Sequence, residues 1–127
     1  MKIAFSSDEI DSCTTQKIDV LVLTENCDVD KYADLNIDVC IFENSNINTL
    51  YKLKNVHNAV SCGMSENDSV TFSSISEDSS LVCIRRQIPF QKSIIHPCEF
   101  KASFSRSLDI YSNLALSLVG HLLQYDV

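Results

Sequence analysis

Two nearly unbroken apolar runs, Asp19 to Thr24 (DVLVLT) and Ile37 to Phe42 (IDVCIF), constrain this chain more than anything else in it. A strand with one wet face alternates apolar and polar residues. These runs have almost nothing polar to give to solvent, so each strand must be buried on both faces, as in a parallel sheet. Lys2 to Phe5 reads as a shorter strand before them, and His57 to Ser61 as a fourth after them. Ser7 to Lys17 and Asp28 to Leu35 are polar-rich with acidic starts and read as short helices. Asn46 to Lys54 places Ile47, Leu50, Tyr51 and Leu53 at near-helical spacing. The resulting β-α-β-α-β-α-β order predicts a parallel sheet with right-handed crossovers.

Beyond Gly63 the pattern changes. Ser69 to Ile75 (SVTFSSI) and Leu81 to Arg86 (LVCIRR), joined by the polar turn Ser76 to Ser80, predict a hairpin. A third extended piece is expected at Ser93 to Ile95 or at Glu99 to Phe104, with Pro97 interrupting. The last element is a helix from Leu108 to Tyr125, because Leu108, Tyr111, Leu114, Ala115, Leu118, Val119 and Leu122 recur at steps of three and four. Ser107 is the expected N-cap, with Asp109 in the first turn favouring the positive helix end. Glycine inside a helix costs about 1 kcal/mol relative to alanine, so Gly120 is expected to mark a close approach of helix to sheet. The expected fold class is α/β in one domain over residues 1–127. Its first half is a mainly parallel sheet with flanking helices, and its second half holds antiparallel strands and a C-terminal amphipathic helix.

Composition narrows the function classes. With 127 residues, 45% apolar and 21% charged, the chain is expected to build a core rather than remain disordered. A net charge of −7 with ten scattered basic residues argues against nucleic acid, whose binding rests on Lys and Arg neutralising phosphates. The one basic pair, Arg85-Arg86, is expected on a solvated strand or loop. The longest apolar stretch, Leu114 to Leu123, contains Ser117, Gly120 and His121 and falls short of the roughly 20 residues that span a bilayer. Met1 to Phe5 runs into Ser6-Ser7-Asp8-Glu9 too early for a secretory signal, so a cytoplasmic location is expected. Six dispersed cysteines (Cys13, Cys27, Cys40, Cys62, Cys83 and Cys98) show neither C-x-x-C nor zinc spacing. They are expected to be reduced thiols that pack as small hydrophobes, as in Val39-Cys40-Ile41 and Val82-Cys83-Ile84.

Phosphate loops need glycine, because backbone amides must converge on the anion without Cβ atoms in the way. Gly63 and Gly120, the only two in the chain, are far apart and build neither a Walker loop nor a dinucleotide fingerprint. The carboxylate groups Asp8-Glu9 with Asp11, Asp28 with Asp30, and Glu66 with Asp68 are expected in solvated turns rather than around a metal ion. His57 is expected at a strand boundary and His121 at the margin of the helix's packed face. His96-Pro97-Cys98 lacks a third residue to orient an imidazole and thiol, and no G-x-S-x-G or S-x-x-K supports a serine nucleophile. No catalytic, cofactor-binding or metal-ligating residue is assigned from the sequence, and no cofactor is expected.

The segment Val60-Ser61-Cys62-Gly63-Met64-Ser65, followed by Asp68-Ser69-Val70-Thr71-Phe72-Ser73-Ser74-Ile75, has a specific layout: strand, glycine turn, polar loop, antiparallel strand. It resembles the central domain of the Mur ligases, the ATP-dependent amino-acid ligases of peptidoglycan precursor synthesis, and of their folylpolyglutamate synthase relatives. Phe104 to Leu118, with Asp109-Ile110-Tyr111-Ser112-Asn113-Leu114-Ala115-Leu116, is similar to the segment that opens a helix later in that domain. The likeness covers residues 19 to 125 and implies the fold. The family's glycine-rich ATP loop has no counterpart here, and Asp109 and Ser112 stand where the family has asparagines. The resemblance therefore implies a non-catalytic Mur ligase-like domain, acting in bacterial cell-wall metabolism through protein interaction or small-ligand binding. A protein partner or a second copy of the chain is the expected partner; nucleotide, nucleic acid and membrane are not. One alternative is a subunit that completes a composite ATP-dependent ligase site. Another is a receiver-like signalling domain, suggested by the acidic Asp8-Glu9 pair after the first strand, although Ile37 to Phe42 runs into Glu43-Asn44-Ser45 rather than an aspartate.

Overall fold

The computed structural model describes residues 1–7, 17–25 and 28–125 of an α/β chain. It divides into two compact units, Met1–Ala59 and Val60–Val127. Residues 8–16 of the expected first helix lie outside the described residues. So do Asp8, Glu9, Asp11, Cys13 and Cys27.

The first unit is built on a four-stranded sheet in the order β1 (Ile3–Phe5), β2 (Lys17–Val22), β3 (Asn36–Phe42) and β4 (Asn55–Ser61). β1 and β2 run parallel with Ile3 beside Val20, and β2 and β3 run parallel with Val20 beside Val39. The apolar runs behave as their composition requires: Val20, Leu21 and Val22 are all buried, and so are Val39, Cys40 and Ile41. Consecutive residues point to opposite faces, so both faces of these strands are dry.

The helices of this unit are shorter than the sequence pattern suggests. Asp28 to Leu35 makes only a 3-10 turn at Asp30–Tyr32, opened by the Asp28 carboxylate accepting from the Asp30 amide at 2.9 Å. Tyr32 is fully buried and its hydroxyl donates to the Phe5 carbonyl at 3.1 Å, tying this connection to the end of β1. Asn46 to Lys54 reduces to α1 (Ile47–Leu50), preceded by a 3-10 turn at Asn44–Asn46. Asparagine and threonine are weak helix formers, and the chain turns away once Leu53 reaches the core. The Lys54 amide then donates to the Ala33 carbonyl at 3.1 Å. An exposed Lys54–Asp34 ion pair at 3.0 Å adds about 0–1 kcal/mol.

In the second unit, β5 (Val70–Ile75) and β6 (Ser79–Ile84) form the expected antiparallel hairpin, with Phe72 opposite Val82. Both candidates for a third extended piece are strands. β7 (Ile88–Phe90) and β8 (Ser93–Ile95) make a small second hairpin, and β9 (Cys98–Ser103) pairs antiparallel with β6. The strand at Ile88–Phe90 was not anticipated, because its turn is Gln91-Lys92 with Gln91 at φ 56°. A two-residue hairpin turn with positive φ normally advertises itself with Gly or Asn.

The closing helix, α2 (Ile110–Leu122), buries Tyr111, Leu114, Ala115, Leu118, Val119 and Leu122. It packs on β5. Three expectations need correction here. The N-cap is Asp109, not Ser107: Asp109 is extended (φ −72°, ψ 172°) and its Oδ1 accepts from the Ser112 amide at 2.7 Å. Ser107 instead shares a hydroxyl hydrogen bond with Ser105 at 2.7 Å. Leu108 precedes the helix and is 42% exposed, so it is not part of the packed face. Gly120 is exposed, and a Cβ there would meet nothing within 4 Å. No backbone approaches it.

Asn113 fixes how the chain enters α2. It is buried, accepts from the Ser105 amide at 2.9 Å, and donates from Nδ2 to the carbonyls of Ser105, Leu108 and Asp109 at 2.9 to 3.2 Å. Removing a buried partner of this kind costs about 1–3 kcal/mol.

Candidate interaction site

The three-stranded sheet of the second unit has two edges, and they differ. The β5 edge is blunted: Cys62 bridges to Val70, the Gly63 amide donates to the Val70 carbonyl at 3.1 Å, and the β5–β6 register shifts between Phe72 and Ser74. Such an irregularity bends a strand and discourages further pairing. β9, in contrast, runs in unbroken register with β6 from Cys98 to Ser103, and no other strand among the described residues pairs with it.

The register shows what that open edge offers. The Phe104 amide donates to the Asp78 carbonyl at 3.0 Å, and the Ser80 hydroxyl donates to the Ala102 carbonyl at 3.3 Å. Even-numbered residues thus turn their backbone groups toward β6. Antiparallel ladders alternate, so the N–H and C=O groups of Glu99, Lys101 and Ser103 point to the open side. Side chains alternate as well. Glu99, Lys101 and Ser103 are exposed, whereas Phe100, Ala102 and Phe104 are half-buried.

A cleft of about 450 Å³ lies between β9 and α2, lined among others by Phe100, Leu108, Leu116, Gly120 and His121. Leu116 is 47% exposed. Gly120 borders this open space rather than a close approach of helix to sheet. The His121 ring stacks on Phe100 with centroids 4.1 Å apart and planes 7° from parallel, and the Tyr125 ring meets it edge-on with centroids 5.7 Å apart. Its buried Nε2 has no hydrogen-bond partner. Burial disfavours the imidazolium and pulls the His121 pKa below the ordinary value. His121 thus sits at the margin of the packed face, as its position in the sequence suggests.

The other residues singled out in the sequence have structural work. Gly63 lets the Asp68 carboxylate lie against the backbone: a Cβ there would stand 2.5 Å from Oδ2. Asp68 is buried and accepts from the Ser65 amide at 2.9 Å, closing the loop that leads into β5. Arg85 and Arg86 hold the same loop. Arg85 donates to the Ser65 carbonyl at 2.8 Å and Arg86 to the Ser69 hydroxyl at 3.2 Å. Desolvation first, and the Asp68 charge second, push the buried Cys62 thiol far above the ordinary range, so it is held as a thiol and not a nucleophile. Cys40, Cys62, Cys83 and Cys98 are free.

His57 is exposed on β4, and His96 Nδ1 is 3.3 Å from the Gln87 amide nitrogen. Among the described residues no three His, Cys, Asp or Glu side chains gather in a way that would hold a metal ion. None of the described helices is long and apolar enough to cross a membrane. The β9 edge was not identified from the sequence. Its only local signal was the alternation Glu99-Phe100-Lys101-Ala102-Ser103-Phe104, which marks a half-buried strand but not its neighbours. Comparison with models of known protein families, with curated proteins and with solved structures gave no match to this chain.

Proposed function

We propose that this chain is a non-catalytic protein-interaction domain of Mur ligase central-domain type, working through the open edge of β9 and the cleft beside α2. The observation that carries this reading is the contrast between the two sheet edges. One is bulged and bridged, while the other presents three consecutive pairs of outward backbone donors and acceptors next to an apolar hollow. An added strand satisfies such an edge through main-chain hydrogen bonds, and its alternate side chains reach the hollow.

The positions of the glycines support the non-catalytic half of the reading. A triphosphate cradle needs amides converging at a glycine loop that opens a helix. Gly63 is committed to the Asp68 carboxylate, itself an anion, and Gly120 lies near the C-terminal end of α2, where the helix dipole repels phosphate. Bacterial cell-wall precursor metabolism is the setting that the resemblance implies.

Two measurements test the proposal. Calorimetric titration with magnesium and ATP is expected to give no heat of binding; a micromolar Kd overturns the non-catalytic assignment. Amide hydrogen exchange in dilute solution is expected to be fast at Glu99, Lys101 and Ser103 and slow at Phe100 and Ala102. Slow exchange at all five in a monomer overturns the open-edge assignment.

A further inference from the structure

The charge pattern along β9 specifies its partner. Glu99 and Lys101 stand two residues apart on the open edge strand, both exposed, and neither makes an ion pair within the chain among the described residues. Their backbone groups are the ones that face outward, so in a two-fold antiparallel pairing of β9 with itself they are also the residues that meet directly across the new ladder. The available registers differ in which charges meet, and with Glu99 on the axis glutamate faces glutamate, which is repulsive. With Lys101 on the axis, lysine faces lysine, which is repulsive. With Lys101 opposite Ser103, the pairing is neutral. With Phe100 on the axis, Glu99 of each copy faces Lys101 of the other, and two opposite-charge pairs form at once.

We infer that the partner of this edge is a second copy of the same chain, joined by antiparallel β9–β9 pairing centred on Phe100. The inference rests on the interaction reading above and adds the identity of the occupant. A two-fold axis perpendicular to the sheet keeps the same face up in both copies, so three strands become six in the order β5-β6-β9-β9-β6-β5, and both α2 helices lie on one side. Phe100 then faces Phe100 as a non-hydrogen-bonded pair, the closer of the two pair types, with Cα atoms about 4.5 Å apart. The rings point toward the α2 side, so each cleft opens onto its mate. Leu108 and Leu116, 42% and 47% exposed in one copy, border that shared hollow. The interface is isologous, and the pairing closes on itself rather than running on as a fibre.

Charge reversal tests the register as well as the association. The wild-type chain is expected to sediment at twice its 14.2 kDa at high protein concentration. Lys101→Glu and Glu99→Lys each turn both cross-strand pairs into repulsions and are expected to weaken self-association by about tenfold or more. Mixing the two variants restores opposite charges at every pair, so the mixture is expected to dimerise where neither component does. Both residues are exposed, and unchanged melting temperatures of the isolated variants check that the fold persists.

Amide exchange at Glu99, Lys101 and Ser103 separates the failures. Protection that appears with concentration in the wild type and vanishes in Lys101→Glu supports self-pairing. A monomer in which these amides exchange freely at every concentration overturns self-pairing but leaves the edge available to another polypeptide. Protection of the same amides in a monomer overturns both readings. A dimer indifferent to charge reversal places the interface elsewhere and also overturns the proposal.

Discussion

The His121 imidazole lies flat on the Phe100 ring, its centroid 4.1 Å away, with its Nε2 buried and unpartnered. Stacking suits a neutral ring, and protonation would put a charge on a partly buried imidazole whose Nε2 is shielded from water. Burial therefore lowers the folded-state pKa below the unfolded value of about 6.5. The sign follows from linkage: the unfolded state binds the extra proton, so the contribution of this residue is complete above the unfolded pKa and is lost as pH falls from there through the folded value. An NMR titration is expected to give His121 a midpoint below 6.5. His121→Phe, which keeps the stack and removes the proton, is expected to flatten the decline in stability between neutral pH and about pH 5. An equally steep decline in the variant would assign it to other groups.

Asp109 caps α2 with hydrogen bonds from Ser112. The Ser112 hydroxyl first, and its amide second, hold the Asp109 carboxyl below the usual carboxylate range. Asp109→Ala is expected to destabilise the chain by about 1 kcal/mol at neutral pH, and Asp109→Asn by less, since the amide oxygen still accepts. A depressed folded pKa means that the contribution is full above the unfolded value near 3.9 and lost as pH falls through the folded one. Urea midpoints of the wild type and Asp109→Ala are thus expected to converge in acid. A gap that persists or widens there would contradict the capping role.

Gly63→Ala is expected to destabilise by about 1–3 kcal/mol, because the added methyl would overlap a buried carboxylate that the Ser65 amide holds in place. Asp68→Ala removes both the obstacle and the loop's hydrogen bond. The double variant should then cost less than the sum of the two singles, by at least about 0.5 kcal/mol. Denaturant unfolding of the four proteins measures the coupling, and strict additivity would mean that Gly63 serves something other than the approach of Asp68.

Gly120→Ala points the opposite way. Nothing lies within 4 Å of the new methyl and the position is helical, so only the helix propensity changes. A gain of about 0.5–1 kcal/mol and a higher melting temperature are expected. A loss would reveal a neighbour that requires the bare backbone.

Sequence reasoning succeeded where a local pattern has one physical solution. The runs through Leu21 and Cys40 could only be strands dry on both faces, and the spacing from Tyr111 to Leu122 could only be a helix with one apolar side. It was less successful where length and context decide. Asp28 to Leu35 has helix-like ends but too few residues to do more than deliver Val29 and Tyr32 inward. Gln91 adopts a glycine-like φ with no glycine to announce it. Ser107 and Asp109 are both competent caps, and Asn113 settles the choice by fixing the loop between them through bonds to Ser105, Leu108 and Asp109. The candidate site was the least legible part. Whether a strand is an edge depends on which strands lie beside it, and nothing within Cys98–Ser103 encodes that order.

The dryness of β2 and β3 has a consequence for the chain before it folds. Segments as apolar as these are prone to cross-β stacking between molecules whenever they are uncovered. Parallel partners such as Val20 and Val39 meet only after a long loop has closed, which prolongs that exposure during synthesis. Asp19 and Asp38 sit inside the two segments, half-buried in the finished sheet. A charge inside such a segment is the kind of feature that discourages stacking between uncovered copies, and Asp19 keeps a second use in the finished sheet, where its carboxylate accepts from the Lys2 amide at 2.7 Å.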